Sequence, residues 1–160
     1  MNYVLGLMFS EGFQKVALIK KKRPLWQENR LNGIGGEIKN GESIHQAMVR
    51  EFFEETGVKT KENDWGHFSD MYGVKVIEGT AITWLVSILA SVSDLSFLEE
   101  KEEVVVVDVN TISPLRNKDM IENLPSIISL AIDYLEDKKP SFVEIQYHEG
   151  NNIKDSLTLE

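Results

Sequence analysis

The chain contains no cysteine. Disulfides, thiolate metal sites and a cysteine nucleophile are therefore excluded. Histidine is scarce, with only His45, His67 and His148, so an all-His or His–Cys zinc centre is disfavoured. No run approaches the ~18 apolar residues of a membrane span. The start, Met1-Asn2-Tyr3-Val4, lacks the basic and then apolar pattern of a signal peptide. The expectation is a soluble cytoplasmic protein. Positive charge is also in short supply: 17 Lys and Arg stand against 26 Asp and Glu, a net charge of −9. Such a chain repels polyanions, so no stable nucleic-acid partner is expected. A small anionic substrate remains admissible where a divalent metal carries the positive charge.

What is present reads as one globular domain. A chain of 160 residues buries roughly 68–70% of its unfolded surface and needs no covalent staples. Val4–Phe9 and Lys15–Lys20 are apolar runs around Ser10-Glu11-Gly12, the pattern of a β-hairpin. The basic stretch Lys20–Pro24 reads as a solvated turn. Gly33, Gly35, Gly36 and Gly41 then crowd into nine residues, which marks tight backbone geometry. Ser43 to Thr56 reads as a helix, with a capping box from Ser43 to Gln46, an apolar stripe of Ile44, Ala47, Met48 and Phe52, and a glycine stop at Gly57. A second hairpin is expected over Tyr72–Ile77 and Ile82–Ala90, around Glu78-Gly79.

Asp94 to Glu103 is an acidic loop, and Val104–Val109 reads as a short buried strand. A second helix is expected from Met120 to Asp137, with a start near Leu124 as the alternative because of Pro125. Val143, Ile145 and Tyr147 alternate with polar residues as a last strand, pairing within the sheet or with a second subunit. Trp65 and Trp84 are expected in the core. The expected domain is 1–147, with a polar C-terminal tail over 148–160, as a monomer or homodimer. Two helices covering the faces of one mixed sheet is the simplest packing, an α/β fold.

The first helix has a second face. Glu51, Glu54 and Glu55 stand at i, i+3 and i+4, so their carboxylates fall on one side. Like charges that close are destabilising unless something cationic sits among them. A solvated acidic face is the ordinary alternative, and three features weigh against it. The cluster lies near the helix C-terminus, where the macrodipole disfavours anions. The glycine-dense loop immediately precedes the helix. Glu42 and Arg50 add a further acid and a base at fixed distances. Carboxylates on a rigid helix suit magnesium or manganese. A metal so held bridges phosphate oxygens and acidifies a bound water, which points to metal-assisted hydrolysis of a phosphate compound.

Gly36, five residues, Glu42, seven residues, then Arg50-Glu51-Phe52-Phe53-Glu54-Glu55-Thr56-Gly57-Val58 resembles the Nudix box. Every defined position is filled, the apolar ones by Phe52 and Val58. The chance of such a match is on the order of 10⁻⁹ per starting position at average composition. The resemblance implies a Nudix fold, an α/β/α sandwich around a mixed β-sheet. It implies cleavage of a nucleoside diphosphate linked to another moiety, with Mg2+ or Mn2+. Under it, Glu51, Glu54 and Glu55 correspond to the metal-binding and water-activating acids, and the Gly35 carbonyl to a backbone metal ligand. Arg50 corresponds to the residue that orients the acids, and Glu42 to the supporting acid. A further glutamate from a later loop is to be sought among Glu99, Glu100, Glu102 and Glu103, with Glu100 the choice for the metal site.

Arg30-Leu31-Asn32-Gly33-Ile34-Gly35-Gly36 looks like the Asn-Gly-x-Gly-Gly form of oxidised-purine nucleoside triphosphatases in this MutT-like family. That likeness implies a base-binding Asn32, an aromatic pocket wall at Trp26 and a phosphate-side cation at Lys22. Asn32 tolerating a left-handed turn, and Trp26 anchoring a loop, are the alternatives. Where the subfamily carries Trp-Pro-Asp-Asp, this chain has Ile121-Glu122-Asn123-Leu124, so Glu122 and Asn123 stand on the base side and selectivity for oxidised guanine should be modest. The expected reaction is hydrolysis of a (d)NTP, or an oxidised purine dNTP, to the monophosphate and pyrophosphate. Hydrolysis of ADP-ribose or a dinucleotide is the alternative. A catalytically inactive nucleotide sensor is the reading from another class, and the retention of every acid argues against it.

Overall fold

The structure is a computed structural model describing residues 1–22, 27–98, 103–112, 118–137 and 143–148. Strand β1 (Asn2–Phe9) and strand β2 (Lys15–Lys20) form the first expected hairpin, with Met8 opposite Ala17 and Phe9 opposite Val16. Strand β3 (Leu31–Asn32) lies in the glycine-rich region and helix α1 (Ile44–Thr56) follows it. Strands β4 (Gly66–Ile77) and β5 (Thr80–Val92) make the second hairpin. Its two-residue turn, Glu78-Gly79, has positive φ at both positions, 49° and 79°, as a tight type I′ turn requires. Strand β6 (Val104–Asp108), helix α2 (Leu124–Asp137) and strand β7 (Val143–His148) complete the chain.

Seven strands form one mixed sheet in the order β3-β2-β1-β5-β4-β7, with β6 also on β2. The β1–β5 and β4–β7 pairs are parallel and the others antiparallel. Alternation along the central strands sorts residues onto two faces. On β1, Val4 and Met8 join Ala47, Met48 and Phe52 of α1, while Leu5, Leu7 and Phe9 join Leu124, Ile127, Ile128 and Ala131 of α2. Both faces of β1 are covered, which is why its sequence reads as one apolar run. The helices therefore sit on opposite faces, the three-layer arrangement the sequence implied.

The sheet also explains the glycine loop. Strand β6 takes one edge of β2 from Lys15 to Ile19. The other edge is divided, with β1 on Val16 and Ala17 and β3 on Ile19 and Lys20. Strands β1 and β2 thus splay apart, and the chain from Leu31 to Ile38 wedges between them. Gly6 and Ile34 exchange both backbone hydrogen bonds, at 2.7 and 3.0 Å, the Val4 N–H donates to the Gly36 carbonyl at 2.9 Å, and the Ile38 N–H donates to the Asn2 carbonyl at 2.9 Å.

Two expectations change, and two open alternatives are decided. Val104–Val109 is not a buried strand: β6 pairs with β2 alone, and of its valines only Val104 is buried, with Val105 exposed. Trp84 is half-buried, whereas Trp65 is core. The second helix starts at Leu124, with Pro125 in its first turn, and Met120 instead bridges Leu31. The last strand pairs with β4 of the same chain. The expected tail lies outside the described residues, except for His148, which ends β7.

Helix α1 carries the candidate site, and its start is built as expected. The Ser43 hydroxyl accepts the Gln46 N–H at 3.1 Å and the Gln46 side chain accepts the Ser43 N–H at 3.0 Å. Gly57 closes the helix in the left-handed region at φ 74°. Ser43→Ala should cost about 1 kcal/mol, lowering Tm by roughly 2–4 °C for a domain of this size. Thermal unfolding followed by far-UV circular dichroism checks this.

Candidate active site

Helix α1 buries Ala47, Met48, Phe52 and Thr56. Its 3.6-residue period leaves Arg50, Glu51, Glu54 and Glu55 toward the wedged loop. Arg50 uses all five of its N–H donors. Its Nε and Nη2 grip the two Glu42 oxygens at 2.6 and 2.8 Å, and Nη2 also donates to the Glu37 carbonyl at 2.9 Å. Nη1 donates to Glu51 at 2.5 Å and to Glu54 at 3.4 Å. One planar group thus joins the loop, the pre-helix acid and the helix. The Arg50 hydrogen bonds hold the Glu42 carboxyl down at about 2, against an ordinary 4.5. Reciprocally, Glu42 raises the Arg50 guanidinium above its usual range.

Glu55 is held from the other side. Its Oε2 accepts the Gly35 N–H at 3.1 Å and its Oε1 accepts from Lys21 Nζ at 3.2 Å. The same ammonium donates to the Gly35 carbonyl at 3.1 Å. Burial pushes the Glu55 carboxyl up, and Lys21 opposes that rise. Glu54 is half-exposed and has Lys39 at 3.6 Å. Both glycines approach their neighbours closely, Gly35 against backbone and Gly36 against the end of the Glu51 side chain. A Cβ on Gly36 would lie 2.5 and 2.7 Å from the two Glu51 carboxylate oxygens. One on Gly35 would run into the Val4 carbonyl oxygen.

The structure therefore brings Gly35, Gly36, Glu42, Arg50, Glu51, Glu54 and Glu55 together, with the protein's own cations among the acids. As they stand, no three acidic or histidine side chains among the described residues form a metal-holding group. The lysine expected on the phosphate side does not meet the acidic face of the helix. Lys22 is exposed and ion-paired with Glu103, while Lys21 reaches the acids. Strand alternation carries the signal for this. Ala17 and Ile19 pack on the α1 side, and the next residue in that series is Lys21, whereas Lys22 continues the series of Val16 and Leu18.

Asn32 belongs to β3 and has no left-handed φ. Its Oδ1 accepts the Gly33 N–H at 2.8 Å, and its Nδ2 donates to Gln27 at 3.3 Å. The Leu31 N–H donates to the Asp119 carbonyl at 2.7 Å, and the Ile121 N–H to the Leu31 carbonyl at 3.0 Å. The segment leading to Glu122 and Asn123 thus lies beside β3. Glu122 is exposed, and Asn123 Nδ2 lies 3.0 Å from Met71 Sδ. Trp26 and Glu100 fall outside the described residues. His67 is engaged by Asp70 at 2.9 Å, which agrees with a structural role. No helix among the described residues is long and apolar enough to cross a membrane.

The family described as NUDIX domain matches residues 2–125. The chain belongs to this family. No curated protein matches it. Among solved structures it resembles the MutT protein from Bacillus halodurans, at 17% identity and a TM-score of 0.65, over 92% of this chain and 88% of that one. It resembles the NUDIX domain of Shewanella oneidensis NrtR, solved with ADP ribose, at 14% identity and a TM-score of 0.64, over 84% and 88%. The C. elegans Ap4A hydrolase is similar at 10% identity and a TM-score of 0.52, over 86% and 98%. The three-layer mixed sheet is thus the Nudix fold. Members of the family are generally hydrolases of compounds built on a nucleoside diphosphate, and they typically use divalent metals such as Mg2+.

The Glu42–Arg50 pair makes a pH prediction. The Glu42 carboxyl in the folded protein lies below its unfolded value of 4.5, at about 2. Its contribution is therefore complete above the unfolded value and is lost as pH falls toward the folded one. Glu42→Gln should flatten the fall in stability across that window. Denaturant midpoints at stepped acid pH measure it, and an acid limb identical to wild type would contradict the pairing.

Proposed function

We propose that this chain is a divalent-metal-dependent pyrophosphohydrolase that cleaves a purine nucleoside triphosphate, normal or oxidised, to the monophosphate and pyrophosphate. The observation that carries this reading is the clasp between the glycine loop and the acidic face of α1, where Gly35 bonds Glu55 and Gly36 lies against Glu51. In this reading Glu51, Glu54, Glu55 and the Gly35 carbonyl hold Mg2+ or Mn2+. The residues fit such an ion. The donors are all oxygens, as a hard cation prefers, and a cation of the protein, the Lys21 ammonium, already sits on two of them. When bound, the metal acidifies a water and screens phosphate charge.

The remaining work falls to the chain's own groups. Arg50 is a positioning residue that fixes Glu51 and Glu54, with Glu42 as its anchor. The Gly35 N–H orients Glu55, and in this reading the Glu55 carboxylate would take up a proton from the attacking water. In this reading Asn32, Asn123 and Glu122 form the base side. A second reading, hydrolysis of ADP-ribose or a dinucleotide, draws on the ADP ribose bound to the NrtR domain and on the Ap4A hydrolase, both similar in fold.

Glu55→Gln keeps the size of the side chain and removes its charge. It should lower kcat by about a thousandfold or more, in line with several kcal/mol of lost charge stabilisation. Turnover near wild type at saturating Mg2+ would sink the assignment. Across dGTP, 8-oxo-dGTP, dATP, dCTP and ADP-ribose, kcat/KM should favour the purine triphosphates. Asn32→Ala should blunt the ranking among bases, because an amide that both donates and accepts is lost. ADP-ribose emerging as the best substrate would establish the second reading instead.

A further inference from the structure

Arg50 and Lys21 both neutralise the acids, but they are held differently. Arg50 cannot leave without stranding Glu42, Glu51 and the Glu37 carbonyl. Lys21 is a point charge on a flexible stem, resting on two oxygens among the described residues, at 3.1 Å from the Gly35 carbonyl and 3.2 Å from Glu55. Both side chains of the Lys21–Glu55 pair are largely buried, 17% and 22% exposed. A carboxylate so buried is costly when unpaired. The two oxygens under the ammonium are also two of the donors assigned above to the divalent metal. Two cations a few ångströms apart repel strongly where water is scarce, so ammonium and metal exclude one another there.

We propose that Lys21 is a resident counter-ion that takes the metal's place on Gly35 and Glu55 in the metal-free protein and is displaced when metal loads. The inference rests on the metal-site reading above. Two consequences follow by linkage. Lys21 keeps the metal-free clasp closed by compensating Glu55. It also weakens metal binding, because the metal competes with a docked conformer.

The test compares wild type with Lys21→Met, and with Lys20→Met as a control that removes the same charge from an exposed neighbour on β2. Isothermal titration with Mg2+ and Mn2+ should show Lys21→Met binding at least about fivefold tighter than wild type, and Lys20→Met within about twofold of it. In EDTA, Lys21→Met should melt about 3–6 °C lower than wild type and recover a larger share on adding Mg2+. A second measurement uses wild type alone: acetylation of individual lysines, followed by mass spectrometry, should find Lys21 modified several-fold faster with Mg2+ than without, and Lys20 unchanged. Equal or weaker metal binding by Lys21→Met, or a Lys21 acetylation rate that Mg2+ leaves unchanged or slows, overturns the proposal while leaving the metal site standing. Absence of any Mg2+ or Mn2+ binding by wild type removes the metal-site reading and this inference with it.

Discussion

The guanidinium of Arg50 is the tie on which the acidic face of α1 depends. Its Nε, Nη1 and Nη2 reach Glu42, Glu51, Glu54 and the Glu37 carbonyl, which belong to three successive pieces of chain. A planar five-donor fork can satisfy that many acceptors at once, whereas an ammonium offers three donors and no fixed plane. Without it, Glu51 would lose its own ion pair while lying against Gly36. The tie also fixes the far end of the wedged loop, because Glu37 is part of the segment that separates β1 from β2.

The wedge explains why the loop and the helix meet at all. A β-hairpin with continuous pairing would leave no room between its strands. Here β2 exchanges β1 for β3 at Ile19, and the gap accepts Gly33 to Ile38. Gly35 lets the backbone approach β1 closely, because an added carbon there would meet the Val4 carbonyl oxygen. The loop in turn presents both an N–H and a carbonyl of Gly35 to the Glu55–Lys21 pair. Charge compensation is uneven across the site. Arg50, Glu42, Glu51, Lys21 and Glu55 are mostly shielded from water, while the Lys39–Glu54 pair is exposed at 3.6 Å and adds little.

Local patterns read reliably where the signal is contained in a few neighbouring residues. The capping box at Ser43, the stop at Gly57, the tight turn at Glu78-Gly79 and the two-faced apolar run of β1 all depend on short-range geometry, and the structure contains each of them. The i, i+3, i+4 spacing of Glu51, Glu54 and Glu55 likewise puts the acids on one side of a helix. Readings that needed knowledge of neighbours failed. Val105 is apolar, yet it is exposed because β6 lies at an edge of the sheet. Trp84 is half-buried on a strand expected to bury it.

The sequence by itself determined the element types, the family and the set of acids that share one face of the first helix, because the spacing Gly36, Glu42, Arg50, Glu51, Glu54, Glu55 is written along one loop and one helix. The tertiary structure decided which cation reaches those acids. Lys20, Lys21 and Lys22 are chemically alike and adjacent, and nothing in their identities separates them. Strand alternation gives Lys21 the α1 face, on which Gly35 and Glu55 lie, and leaves Lys22 to Glu103. It also decided that the acids meet the protein's own charges and do not face one another bare. That outcome depends on Glu55 and Lys21, 34 residues apart, being brought within hydrogen-bond reach, which only the packing of α1 on the sheet can do.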